Sequence, residues 1–206
     1  MAWGKSSTRG VDDLVAQLSR NCTADTMCVM RSRKLGPNEV NKLADALATN
    51  TSLKEFLIAG HRLDPDQARR LGAAVRANSG TLEQITLGDS TFGDSGLGAF
   101  LDGIMEGQTS GKLVGLRALD FEYRGLGPMS ATRLGAVLAA SAQTEGPDAT
   151  TNAFPRLRNL VLGRNGLATE SLAFGKLLKG IRAHNGLHFL DLSGTWLSRP
   201  AECDDA

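Results

Sequence analysis

The segment Leu157-Arg158-Asn159-Leu160-Val161-Leu162-Gly163-Arg164-Asn165-Gly166-Leu167 decides the fold. Its leucines alternate with polar or small residues as in a short half-buried strand, and Asn165 with Gly166 marks the turn that ends it. The same frame recurs as Leu53, Phe56, Ile58, His61, Leu63 and as Leu82, Ile85, Leu87, Ser90, Phe92. It returns as Leu116, Leu119, Phe121, Arg124, Leu126 and as Leu187, Leu190, Leu192, Thr195, Leu197. A degenerate copy precedes these, with Asp25 at the first leucine position, Cys28, Met30 and Leu35 at the other apolar positions, and Arg33 at the asparagine position. The closing residues Leu35, Leu63, Phe92, Leu126, Leu167 and Leu197 lie 28, 29, 34, 41 and 30 residues apart. A fixed frame at such a period identifies a stacked array.

Between copies the apolar period lengthens from two to about 3.6, as in Val40, Leu43, Ala44, Leu47 and in Ala68, Leu71, Gly72, Val75. Each unit therefore reads as strand, turn, helix. Asp64-Pro65-Asp66-Gln67 marks a helix start, with Asp64 as cap, Pro65 in the first turn and Gln67 closing a capping box. Gly98 and Gly103 weaken the third helix, while Gly72 and Gly135 are expected to let helices approach strands closely. No unit of this kind buries both its faces alone, so neighbours stack on one continuous core and the ends need caps. Val11, Leu14, Val15 and Leu18 supply an amphipathic helix for the first end. The expected organisation is a tail and capping helix over 1–24, repeats over 25–197 with insertions near 106–112 and 143–155, and an acidic tail over 198–206.

These copies resemble ribonuclease-inhibitor-type leucine-rich repeats, whose units of about 28 residues alternate a short parallel strand with a full helix. The resemblance implies an α/β leucine-rich-repeat solenoid: a short horseshoe, its concave face a parallel sheet of about six strands and its convex face helical. It departs from the pattern at the turn, where only Asn165 keeps the asparagine and Arg33, His61, Ser90, Arg124 and Thr195 stand elsewhere. A continuous asparagine ladder is absent, so the carbonyls of those turns need other donors.

Because strand side chains alternate, the residues between the leucines face the concave surface. That frame places Val29, Leu57, Thr86, Asp120, Val161 and Asp191 along one central row. Met27, Val29 and Leu57 form an apolar group at one end; Asp89, Asp120, Glu122 and Tyr123 form an acidic group with an aromatic near the middle. Residues 81–150 carry 4 basic and 9 acidic side chains, which favours a basic or amphipathic partner element. The expected partner-binding residues are Met27, Val29, Leu57, Asp89, Asp120, Glu122, Tyr123 and Asp191. Trp3 and Trp196 are further anchor candidates, since tryptophan is enriched at interface hot spots.

Composition narrows the function. The 206 residues are 41% hydrophobic and 22% charged, enough to bury a core, and 24 glycines against 5% aromatics suit an architecture of many turns. A net charge of +1 lacks the cationic excess of non-specific phosphate binding, so nucleic acid is not an expected partner. The opening residues hold Lys5, Arg9, Asp12 and Asp13 with no apolar run, and no stretch spans a bilayer, so the expectation is an intracellular, cytoplasmic protein without membrane association. Cys22, Cys28 and Cys203 have no zinc-ligand spacing, and neither a metal nor a cofactor is expected. Gly4-Lys5-Ser6 lacks the glycine-rich loop of a phosphate site, and Asn185-Gly186 breaks the helical spacing of His184 and His188. No catalytic residue is nominated. The expected function is a non-catalytic protein-interaction scaffold. Its alternatives are a regulator of a small GTPase like the Ran GTPase-activating proteins, to which no residue here can be matched, and a cytoskeletal or axonemal component, as implied by a further resemblance to tropomodulin-type actin cappers.

Overall fold

The structure, a computed structural model, describes residues 10–78, 80–106, 115–141 and 154–195. Trp3, Gly4-Lys5-Ser6, Trp196, Leu197, Cys203, the acidic tail and nearly all of both insertions lie outside the described residues. Helix α1 (Asp12–Ser19) leads into repeated strand–helix units: β1 (Thr26–Cys28) and α2 (Pro37–Thr49), β2 (Glu55–Ala59) and α3 (Pro65–Ala77), β3 (Gln84–Gly88) and α4 (Gly93–Glu106). They continue as β4 (Ala118–Asp120) and α5 (Pro128–Ser141), β5 (Asn159–Val161) and α6 (Ser171–Ala183), then β6 (Phe189–Asp191). All strands join one six-stranded parallel sheet in chain order, each linked to the next through a helix, as parallel neighbours require.

The register carries the leucine frame across the sheet. Phe56 lies beside Ile85, Ile85 beside Leu119, and Leu119 beside Leu160, all fully buried under the helices. Leu190 continues the row but is 37% exposed, because β6 has a strand neighbour on one side alone among the described residues.

The first unit corrects the frame read from the sequence. Met27 pairs with Phe56 and Cys28 with Leu57, so Met27 (5% exposed) and Val29 (1%) enter the core. Cys28 and Met30 face outward instead, Met30 at 60% exposure. From Val29 to Leu35 the chain is one residue longer than from Ile58 to Leu63, and a turn closed by Arg33 N–H on the Met30 carbonyl absorbs it. Counting back from Leu35 therefore lands one place out, and in a strand one place exchanges the faces.

At the turns after β2, β4 and β5 a side chain reaches back to the preceding unit, with His61 and Arg124 standing in for asparagine. His61 Nε2 meets the Val29 carbonyl at 3.0 Å, Arg124 Nε donates to the Leu87 carbonyl at 2.6 Å, and Asn165 Nδ2 donates to the Phe121 carbonyl at 2.8 Å. Each reaches back to an earlier strand. Asn165 also donates to the Leu162 and Gly163 carbonyls, while its Oδ1 accepts from Arg124 N–H and Leu126 N–H. Arg33 serves the end of the array: it clamps both Asp13 oxygens and the Gly10 carbonyl, fixing α1 with Val11, Leu14 and Leu18 buried beneath.

A second polar row, not anticipated from the sequence, lies where helices turn into strands. Asn50 Nδ2 donates to the Leu18 carbonyl while its Oδ1 accepts from Ser52 and Leu53 N–H. Asn78 repeats the device one unit on, donating to the Leu47 and Asn50 carbonyls. His184 Nε2 lies 3.0 Å from the Phe154 carbonyl in the last helical unit. The signal was present in Asn50 and Asn78 shortly before Leu53 and Leu82, but the leucine frame starts after them.

The Asp64–Gln67 capping box forms as read, with both reciprocal hydrogen bonds at 2.8 Å. The glycines act differently from expectation. A Cβ on Gly72 would run into the Phe100 carbonyl, and one on Gly103 into the Arg69 carbonyl, so these two residues join α3 to α4. Gly135 and Gly180 join α5 to α6 in the same way. The close approach is helix to helix, and it offsets the conformational cost of glycine within α4.

Replacing Asn165 with alanine would strand several buried backbone groups, and a loss of about 2 to 4 kcal/mol is expected in chemical denaturation. Gly103→Ala is expected to cost about 1 to 3 kcal/mol by forcing α3 and α4 apart. Gly175→Ala, in α6 with open space around it, is expected to gain about 0.5 to 1 kcal/mol in the same measurement.

Candidate protein-binding surface

Strand alternation sends one row of side chains out of the concave sheet: Cys28, Leu57, Thr86, Asp120, Val161 and Asp191 in lateral register. Leu57, Asp120 and Asp191 are half-buried there, while Thr86 is enclosed by its neighbours. Beside this row runs a second, Thr26, Glu55, Gln84, Ala118, Asn159 and Phe189, in which Thr26 Oγ1 donates to Glu55 and Phe189 is exposed. Asp89, Glu122 and Tyr123 stand at the turns that follow β3 and β4. Met27 and Val29 do not belong to this surface, because the register of β1 buries them.

The carboxylates double as turn clasps. Asp120 Oδ1 accepts from Glu122 N–H at 2.9 Å and Asp191 Oδ1 from Ser193 N–H at 2.8 Å, each bending the chain out of its strand. Asp89 Oδ1 accepts from both the N–H and the hydroxyl of Thr91. The Asp191 carboxyl is held below its ordinary range, chiefly by the Ser193 backbone hydrogen bond. Burial pushes Asp89 up, but the Thr91 hydrogen bonds and the Arg62 charge outweigh it, leaving Asp89 below the ordinary range as well.

Arginines interleave with these acids, so the middle of the face is not the bare acidic field that segment charges suggested. Arg62 acts on Asp89, and Arg164 approaches Glu122 at 3.5 Å. The Arg124 guanidinium is half-buried among Asp120, Glu122 and Asp89, spending donors on the Leu87 and Glu122 carbonyls. Alternating charge of this kind favours short-range pairing over a long-range field for a basic partner.

One backbone position recurs at the strand exit. Gly60 (φ 76°), Tyr123 (φ 53°), Arg164 (φ 57°) and Gly194 (φ 62°) all take the left-handed conformation just before the asparagine position. In the third unit Gly88 (φ 71°) takes it one residue earlier. Glycine fits there freely, whereas a residue with a Cβ loses on the order of 1 kcal/mol. At Gly60 the Arg31 guanidinium lies across the site that a Cβ would take. Tyr123 and Arg164 have no such burial to compensate them: Tyr123 is 61% exposed and Arg164 lies on the surface.

Among the described residues no group of three or more histidine, cysteine, aspartate or glutamate side chains could hold a metal, and no helix is long and apolar enough to cross a membrane. No family model and no curated protein sequence matches the chain. Among solved structures, leiomodin-1 actin-binding site 2 (ABS2) matches over 84% of this chain and 90% of that one, with a TM-score of 0.57 at 18% identity. That likeness and the six-stranded parallel sheet together make the fold an α/β leucine-rich-repeat solenoid.

Since Asp89 is lowered in the folded protein, it adds stability present above the unfolded carboxylate pKa of about 3.9 and lost as pH falls through its folded value. The difference in melting temperature between the native chain and Asp89→Asn is therefore expected at neutral pH and should close below about pH 4.

Proposed function

We propose that this chain is a non-catalytic, protein-binding leucine-rich-repeat module of the ribonuclease-inhibitor type, acting as a scaffold through its concave face. The observation that supports this most is the unbroken outward row across the sheet, with Leu57, Asp120 and Asp191 held in register and Asp89, Glu122 and Tyr123 at its rim. Such a row offers fixed spacing over a width of about 25 Å, suited to a partner helix or domain edge. The carboxylates on it are committed to backbone N–H groups, which suits recognition more than proton transfer. Full helices of 13 or 14 residues between strands support the ribonuclease-inhibitor type. The cytoplasm is the compartment this reading favours, since it keeps thiols such as Cys22 and Cys28 reduced.

A second reading, a cytoskeletal component, is favoured by the fold likeness to a domain whose name records actin binding. Sedimentation with actin filaments and titration of labelled actin monomers test both. On the actin reading, Leu57→Arg with Glu122→Arg is expected to weaken binding at least tenfold, whereas Leu172→Arg on α6 leaves it unchanged. An absence of binding removes the cytoskeletal reading. Binding that is indifferent to the concave pair removes the concave face.

A further inference from the structure

The outer flank of α6 repeats, with its charge inverted, the features by which earlier helices receive their successors. Leu43, Leu71, Phe100, Leu134 and Leu177 are the equivalent, fully buried residues of α2 to α6. The residue just after this landmark looks forward along the array: a Cβ on Gly72 would strike the Phe100 carbonyl of α4, and one on Gly135 the Lys176 carbonyl of α6. In α6 the forward place holds Leu178, which is 43% exposed, with Ile181 half-buried one turn on. Leu190, on the open edge of β6, continues this uncovered end of the core.

Two residues after the landmark lies the acceptor of an inter-helix ion pair. Asp45 of α2 receives Arg70 of α3 at 2.8 Å, and Asp102 of α4 receives Arg133 of α5. Both arginines stand one residue before the landmark of the later helix. Where the forward residue is glycine, in α3 and α5, the acceptor place holds Ala73 and Ala136. Inside the array, then, an acid faces forward and a base reaches back to it. In α6 the acceptor place holds Lys179, with Arg182 one turn on, and the helix has no acidic residue from Ser171 to Ala183. Neither cation has an ion pair or side-chain hydrogen bond among the described residues. Lys179 and Arg182 line an open groove of about 470 Å³ with Gly175, Leu178 and Ile181, and nothing approaches the Cβ site of Gly175.

We propose that this flank docks an acidic amphipathic α-helix of a partner protein, laid beside α6 as a successor helix would be. The apolar stripe of that helix covers Leu178 and Ile181, and its carboxylates pair with Lys179 and Arg182. Its helical form follows from what lies on the forward side of α3 and α5, and its acidity from the inverted sign at Lys179. A helix that reaches back with arginine or lysine, as α3 and α5 do, meets a like charge here. A second copy placed by a two-fold axis brings Lys179 and Arg182 against themselves. The site lies at the end of the array, off the concave face, and does not rest on that face binding a partner.

The test titrates the full chain, labelled with ¹⁵N, with a helical peptide that carries leucine on one face and glutamate on the adjoining flank, and with its glutamine and lysine counterparts. Saturable shifts are expected at the Gly175, Leu178, Lys179, Ile181 and Arg182 amides, with the glutamine peptide about tenfold weaker or more. Lys179→Glu with Arg182→Glu is expected to lose the glutamate peptide and take up the lysine peptide, and Leu178→Gln to weaken the glutamate peptide about tenfold. No saturable shift on α6, equal binding of the glutamate and glutamine peptides, or an unchanged preference in the charge-reversed variant would overturn the proposal. Two other outcomes would overturn it by naming a different occupant. Shifts of the same amides without peptide, on combining Glu202→Gln, Asp204→Asn and Asp205→Asn, give the flank to this chain's own acidic tail; the same shifts on dilution give it to a second copy. The concave row and actin take no part in this titration, so its failure and the failure of the broader reading are separately visible.

Discussion

The stacking of these units depends on giving strand-end carbonyls a donor from the unit that follows, as at Val29, Leu87 and Phe121. A parallel sheet of short strands joined by helices leaves those carbonyls facing a turn, where an unmet one is costly. His61, Arg124 and Asn165 meet the Val29, Leu87 and Phe121 carbonyls with three different chemistries: a ring nitrogen, a guanidinium and an amide. At these three turns the shared requirement is a side-chain nitrogen within reach of the carbonyl. This tolerance explains how the architecture persists at 18% identity to a solved structure of the same fold.

The apolar frame was legible because burial leaves few choices: Phe56, Ile85, Leu119 and Leu160 had to be inward for any stacking to exist. It failed in the first unit, where one additional residue before Leu35 hides inside a turn and periodicity offers no means to locate it. Gly72 and Gly135 could be seen as close-approach residues, but the approaching surface is set by how neighbouring helices pair, which a single unit's sequence does not encode. The clasps made by Asp120 and Asp191 escaped notice because an aspartate two residues before a turn amide looks the same as one awaiting a partner. The conformations of Tyr123 and Arg164 were invisible for a simpler reason: nothing in either residue type announces a positive φ.

The interleaving of Arg62, Arg124 and Arg164 with Asp89, Asp120 and Glu122 changes what the concave rim can recognise. A field of one sign draws partners from a distance and fades with salt. A rim of alternating signs does little at long range and discriminates at contact, since a misplaced charge meets its like. Selectivity on such a surface resides in geometry, and geometry is what the clasped turns make rigid.

The side-chain nitrogens that reach back at the strand turns belong to the later unit and the carbonyls they meet to the earlier one, while backbone N–H groups of the earlier unit donate forward to Asn165 Oδ1. Asn50, Asn78 and His184 obey the same rule at the other end of the strands. Thr195 departs from it, turning its hydroxyl onto the Leu192 carbonyl of its own strand. During synthesis, then, each newly emerged unit brings the side-chain nitrogen that its predecessor's carbonyl awaits, and the array is fastened step by step like a zip.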